Sequence, residues 1–586
     1  MKFWFQFPAS ASSDATRAQR RRSLLLAVVG IAVLPLAWRG TSCGQDFDFH
    51  LQNWQEVVAH WQHGVIYPHW AESANYLAGE PRFVFYPPLS WLVGGLLGAI
   101  LPWTWTPVAF TLLALLGAGF GFRAMAREWM PEDSATIAAC LYVVNPYMLF
   151  VAYERGAMAE LLAATWLPLL VLYGLRAKRS FLPLAVTVAA IWLTNAPAGV
   201  MGCYMLAVLV VVVAVQEKNW RVVGRAAGGT ALGLGLAGFW LIPALYEQRW
   251  VEIARAIGPL MRVEDSFLFG YAKLAGASAD ERFDIVYHNQ VLRTVSWIVV
   301  SLIVGAVVAA WLARRKRNAI WMPLVVVGAG VCILQLRWSD GVWWLAPELK
   351  FLQFPWRWMM VLGLVFAALA GLALRGEAAT RRAIAVRAAM MLLLAGGTAV
   401  LSSMLFWQPC DKEDNVQAQI ATFHNGGFEG TDEYTPQNAD NSEIQQGLPQ
   451  VRLLKTPSAE EASDGNNPQW RADPTEELSA DVTVDRWTPE HKSVTITTEQ
   501  PGYVLLRSMD YPAWQVTRND AEVGKRARRG DGLIAIPIEA GANHIDVRWR
   551  FTIDQWAGIG LSLGALAITL AFGWKGRRRL DVGGFR

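Results

Sequence analysis

Asp46, Asp48 and His50 stand within five residues of one another, soon after an apolar run at 23–38. Ionisable groups beside a long apolar segment are costly unless they pair or bind something. Two carboxylates and an imidazole so spaced can hold a divalent cation, and one carboxylate can act as a general base. Acidic residues are also ordinary in a polar loop, so spacing alone leaves the two readings level. A second group follows in NPYMLFVAYERGAMAE, where Glu154 and Arg155 lie between two apolar runs and Glu160 begins the next. The Arg155 guanidinium can grip a phosphate in two places. The plainer reading is a local Glu–Arg ion pair at helix ends. His60, His63 and His69 lie near His50 and are either metal ligands or, more ordinarily, the polar face of a Trp-rich interfacial helix.

The elements that must position these groups are mostly membrane spans. The chain has 586 residues, 54% of them hydrophobic and only 17% charged, well below the roughly 25% charged of soluble domains. Its 29 Trp suit membrane–water interfaces. The net charge of +4 gives no nucleic-acid footprint. There is no CxxC and no GxxxxGK[ST] loop. Apolar runs long enough to cross as helices fall at 23–38, 107–122, 134–151, 158–175, 181–195, 198–215, 226–246, 293–313, 319–337, 357–375, 387–407 and 553–574. The first reads as an uncleaved span behind Arg20, Arg21 and Arg22. With these twelve crossings, every later basic cluster, from Arg123 and Arg127 to Arg577, Arg578 and Arg579, falls on the cytoplasmic side. The apolar stretch 86–101 would be a thirteenth span and would invert that order, so it reads as a re-entrant or surface-lying helix.

Three regions follow: a multi-span body at 1–407, an outer domain at 408–552, and a last span with a basic tail at 553–586. The middle one is polar at first. It then alternates with period two at 451–454, 482–484, 494–498, 503–507, 514–517, 533–538 and 545–549, which predicts the strands of an antiparallel sandwich. Trp470, Trp487, Tyr503, Tyr511 and Trp514 within it read as core rather than as a sugar-stacking platform. Cys43 and Cys410 each follow a span on the outer side, where an oxidising compartment permits a disulfide between them; Cys140, Cys203 and Cys332 fall within spans as packing residues. Glu247 and Arg249 read as an exposed ion pair.

An acidic residue soon after the first span, a long first outer loop, the YPP of FYPPLSW and the later ERGAMAE together resemble the GT-C superfamily of membrane glycosyltransferases. LKFLQFPWRWM at 349–359 looks like the bacterial membrane proteins labelled pyruvoyl-tetrahydropterin-synthase-related, although nothing here suggests pterin chemistry. MDYPAWQVTRND and GDGLIAIPIEAGANHIDVRWR resemble the end of YfhO-like membrane proteins, where an outer β-domain leads into a last span. The resemblance implies a polytopic α-helical GT-C-like fold in the cytoplasmic membrane, with the 408–552 β-sandwich periplasmic or extracellular. It implies sugar transfer from a polyprenyl-phosphate donor to a glycan or lipid acceptor at the outer face, with a divalent cation such as Mg or Mn and no nucleotide.

On that resemblance Asp46 is the base, with Asp48 and His50 supporting it or touching the metal. Glu154 is the opposing acidic group and completes the metal set, and Arg155 and Arg357 neutralise the departing lipid phosphate. Many members carry Asp where YERG has Glu154. The rival readings are a transporter or flippase for a lipid-linked glycan and a non-catalytic assembly protein on the same fold. Transporters place polar groups deep within spans, whereas the acidic groups here gather at the outer edge.

Overall fold

The computed structural model describes residues 9–276, 278–346, 348–375, 381–457, 477–524 and 526–583. Where lipid offers no hydrogen bonds, a spanning chain must satisfy its backbone internally, and apolar runs answer by forming helices. Among the described residues nine helices are long and apolar enough to cross, beginning with Ala15–Arg39 and ending with Ile553–Trp574. Two further crossings are bent pairs, Arg221–Leu236 with Gly238–Trp250 at 76° and Trp321–Leu334 with Arg337–Leu345 at 95°. Leu182–Thr194 and Pro88–Ile100 are shorter apolar helices. The nine, the two bent pairs and Leu182–Thr194 correspond to the twelve runs read from the sequence, and Pro88–Ile100 to the stretch set apart from them.

The first bend has an identifiable support. Breaking a helix frees backbone groups. Here the Ser562 hydroxyl of the last span accepts from Phe239 N–H at 2.8 Å and approaches the carbonyls of Gly235 and Leu236 at 3.1 Å each. Residues of the basic clusters meet at one end of the body: Arg21 pairs with Asp133, Arg123 and Arg127 with Glu132, Arg176 with Glu128, Lys178 with Glu217, and Arg225 with the Lys178 carbonyl.

At the other end stand the strands: β1 (Val451–Leu454), β2 (Ala480–Thr488), β3 (His491–Thr498), β4 (Gly502–Met509), β5 (Trp514–Arg518), β6 (Ala521–Glu522), β7 (Leu533–Ile538) and β8 (Gly541–Trp549). They form two antiparallel sheets, ordered β1-β4-β7 and β2-β3-β8-β5-β6. Inward side chains of both sheets, among them Val494, Leu506, Trp514, Ile536 and Val547, share one buried cluster. Tyr511 and Trp514 lie in that core, Trp487 and Tyr503 are half-buried, and Trp470 lies outside the described residues.

The first long loop fastens this region to the helices. Trp70 is fully buried against Tyr511, Trp514 and Trp549, and Met509 N–H donates to the Ala78 carbonyl at 2.9 Å. Glu247 corrects the expected surface pair with Arg249. It is fully buried, accepting from Tyr511 Oη at 2.5 Å and Gln555 Nε2 at 2.9 Å, because the strands cover that end of the body. Arg249 stacks instead on Tyr246.

Candidate functional site

The site begins where one turn docks on another. After the span ending at Arg39, the chain turns through Gly44 into the helix Phe47–Gln62, with Asp46 just before its first residue. Asp46 N–H donates to the Arg155 carbonyl at 2.7 Å, Gln45 N–H to the Glu154 carbonyl at 3.3 Å, and the Ser42 hydroxyl to the Tyr153 carbonyl at 2.6 Å. Only glycine permits this approach, since a Cβ on Gly44 would lie 2.3 Å from the Glu154 carbonyl oxygen. Cys43 and Cys410 form a disulfide beside the turn, with Cα atoms 5.0 Å apart. The receiving segment, Val151–Arg155, is a π-helical turn closed by Gly156 at φ 60°. Such wide turns re-aim side chains.

Arg155 is the hub. It is 2% exposed, and its Nη2 donates to Asp46 Oδ2 at 2.9 Å while Nη1 donates to Glu160 Oε2 at 2.5 Å. Glu160, equally buried, also accepts from Tyr147 Oη at 2.6 Å, and Arg357 Nε stands 3.7 Å from it. Arg357 donates Nη1 to the Leu352 carbonyl at 3.1 Å, and the Trp356 ring lies 5.2 Å from the Arg155 guanidinium. Two carboxylates and two guanidiniums thus balance. The Asp46 side chain is 40% exposed and keeps Oδ1 outside the pair with Arg155.

These groups line a cavity of about 1080 Å³. Its polar lining includes Asp46, His50, Tyr86, Arg155, Glu160 and Arg357. Trp192, Val200, Leu234, Leu241 and Leu245 also line it, as apolar groups drawn from membrane helices. His50 is 2% exposed, and its ring nitrogens have no hydrogen-bond partner among the described residues. Burial brings its pKa down to about 4 against the pull of Asp46, so the ring is neutral at physiological pH.

Not every candidate arrives there. Glu154 accepts from Gln408 Nε2 at 2.5 Å and does not line the cavity, because the π-helical turn directs Arg155 and, five residues on, Glu160 inward in its place. Asp48 is exposed and accepts from Phe49 N–H at 2.8 Å. At about 100° per residue it lies on the opposite helical face from Asp46, whereas His50, a full turn on, returns to it. Asp48, His50 and Glu154 therefore do not converge, and among the described residues no three His, Cys, Asp or Glu side chains are grouped to hold a metal ion. His60 and His63 are bonded to the carbonyls four residues before them, and His69 to Glu490. Sequence spacing missed Tyr147 and Tyr86, and missed Thr431, Glu433 and Tyr434, which reach the cavity from the polar stretch after residue 408. The YPP motif pointed near Tyr86; no periodic signal marked the last three.

A family model described as a 6-pyruvoyl-tetrahydropterin synthase related domain, membrane protein, matches residues 83–408, more than half of the chain. No protein of curated function matches the sequence. Similar solved structures include arabinofuranosyltransferase AftD from Mycobacteria, at 18% identity and a TM-score of 0.39, covering 70% of this chain and 27% of that one. The oligosaccharyltransferase of Archaeoglobus fulgidus aligns at 15% identity and a TM-score of 0.39, covering 67% of this chain and 57% of its own. ArnT from Cupriavidus metallidurans aligns at 12% identity and a TM-score of 0.38, covering 70% and 78%.

Proposed function

We propose a sugar-transfer function for this chain, which belongs to the 6-pyruvoyl-tetrahydropterin synthase related family of membrane proteins. The donor is a polyprenyl-phosphate-linked sugar and the acceptor a glycan or lipid hydroxyl. The basic clusters lie on the cytoplasmic side, so the cavity and strands face outward across the cytoplasmic membrane. One observation carries the reading: Asp46, a carboxylate whose Oδ1 has no partner among the described residues, is paired with Arg155 and shares with Arg357 a cavity also lined by apolar residues of membrane helices. That combination suits a substrate with an anionic phosphate and an isoprenoid tail.

The chemistry follows from the residues. The acceptor hydroxyl gives its proton to Asp46 Oδ1 as its oxygen bonds to the anomeric carbon. The bond from that carbon to the phosphate oxygen breaks, and the electron pair leaves on the lipid phosphate. Arg357, with one hydrogen bond of its own among the described residues, stabilises that charge. Arg155 serves as a positioning residue, fixing Asp46 through Nη2 while Glu160 fixes Arg155. Neutral His50 can hydrogen-bond a sugar hydroxyl. The trio expected to hold a divalent cation does not fit one, so no step is routed through a metal.

The test supplies farnesyl-phosphate-linked hexoses and pentoses with octyl glycosides as acceptors, and compares the protein with Asp46→Asn. Transfer by the protein and a loss of at least a hundredfold in kcat for the variant are expected. Equal turnover by both defeats the assignment of the base.

A further inference from the structure

The cavity holds a carboxylate that the transfer chemistry does not use. Glu433, in the short turn Asp432–Tyr434, lines the same cavity as Asp46, Arg155 and Arg357. The other inner carboxylates are matched: Asp46 with Arg155, Glu160 with Arg155 and Tyr147, and Glu80 with Arg82 and Thr431. Glu433 receives no ion pair and no hydrogen bond from another residue among those described; only its own backbone N–H approaches it. Asp284 and Glu348 also line the cavity, but both are exposed.

Its neighbours hold it in place. Thr431 N–H donates to Glu80 Oε2 at 2.8 Å, and Arg82 Nη2 donates to Thr431 Oγ1 at 3.0 Å. Tyr434 stacks on Phe85 at 5.4 Å. Beyond the turn, Glu252 N–H donates to the Thr435 carbonyl and Gln437 N–H to the Trp250 carbonyl. A carboxylate kept half-buried without a partner costs free energy, and such groups persist where a ligand supplies the partner.

We propose that Glu433 is the acceptor-recognition carboxylate of this site, taking a hydrogen bond from a hydroxyl or ammonium group of the incoming acceptor. This rests on the transferase reading above. The donor's phosphate is excluded as its partner, since it would meet like charge there and opposite charge at Arg357; a hydroxyl of the donor sugar is the competing partner, and a loss of donor hydrolysis would assign Glu433 to it. The surroundings agree in sign: burial, helped by Glu80 and Asp432 and opposed by its own backbone N–H and by Arg82, raises the Glu433 carboxyl to about 7. Tyr86 and Tyr434 stand beside it, and the turn Ile253–Ile257, packed against it, carries Arg255.

The experiment measures two reactions of the full-length protein with a farnesyl-phosphate-linked hexose: transfer to octyl glucoside or octyl 2-amino-2-deoxyglucoside, and hydrolysis of the donor by water. Glu433→Gln should lower kcat/KM for glycoside transfer at least tenfold through KM, and leave donor hydrolysis unchanged. In the wild type, glycoside transfer should fall as pH drops through about 7, with the fall absent from the variant. Equal transfer by both overturns the proposal, as does a matched loss of transfer and hydrolysis, which marks a structural role or a bond to the donor sugar. Glu433→Asp should restore part of the loss. Failure of the wild type to use any donor removes the transferase reading itself, and this proposal with it.

Discussion

Replacing Arg155 by Met strands a charge, and the size of the effect follows from what remains around it. Glu160 is 3% exposed and would keep Tyr147 Oη at 2.6 Å and Arg357 at 3.7 Å. Removing one partner of a buried ion pair costs about 3–5 kcal/mol. The two remaining groups place this case near 3 kcal/mol on that scale. The Asp46 side chain is 40% exposed, so water replaces Arg155 there at a cost below ~1 kcal/mol. The sum is about 3–4 kcal/mol. Adding Glu160→Gln removes the stranded charge and should return about 2 kcal/mol, although Glu160→Gln alone destabilises by leaving Arg155 underpaired. The assay is a double-mutant cycle in mild detergent, with sodium dodecyl sulfate titration followed by Trp fluorescence. Arg155→Lys keeps the charge but not the fork and should fall between wild type and Met. If Arg155→Met matches the wild type, or Glu160→Gln brings no recovery in its background, the hub role of Arg155 is refuted.

Gly44→Ala should lower transfer at least tenfold and destabilise by about 1–3 kcal/mol, because its methyl group would meet the Glu154 carbonyl oxygen and lift the turn that carries Asp46. Gly224→Ala, within the helix Arg221–Leu236 and with nothing within 4 Å of the added carbon, is the control; it should leave transfer unchanged and stabilise by up to about 1 kcal/mol, since Ala is favoured over Gly in a helix. Cys43→Ser or Cys410→Ser should cost about 2–4 kcal/mol, and dithiothreitol should bring the wild type to the same value; an unchanged titration midpoint would disprove the tie. Glu56 is buried in the helix Phe47–Gln62, and burial raises its carboxyl to about 7 from an ordinary 4.5. The folded state therefore binds the extra proton between those values, so stability falls as pH rises from about 4.5 to 7 and levels off above. Glu56→Gln should flatten that slope and add at most on the order of 3 kcal/mol at pH 8; a slope unchanged in the variant assigns it to another group.

How far the residues announce this arrangement depends on whether a local period governs them. Crossing a membrane demands a long apolar run, and a half-buried strand demands alternation, so both were legible. The 451–454 and 533–538 runs coincide with β1 and β7, while β6, only two residues long, leaves no pattern to see. That Asp46 and Arg155 share one site was legible in outline, because both sit where polar residues interrupt apolar ones; their ion pair was not, since the sequence offered Arg155 only a phosphate or Glu154 as partner. The choice between Asp46 and Asp48 was not, since it turns on the phase at which one helix begins. Glu154 illustrates the same limit more sharply. A regular helix gave no reason to prefer Glu160, and only the π-helical turn with Gly156 in a left-handed conformation exchanges the two carboxylates. Glu433 lies further from reach, in a polar stretch without periodicity, 387 positions from the Asp46 whose cavity it shares (433 less 46). Its placement is set by contacts of the first loop, Glu80 and Arg82 with Thr431 and Phe85 with Tyr434, which no local pattern encodes. The groups hardest to read from sequence are thus those by which two distant segments close one cavity, and substitutions there should alter what the cavity accepts before they alter whether the helices form.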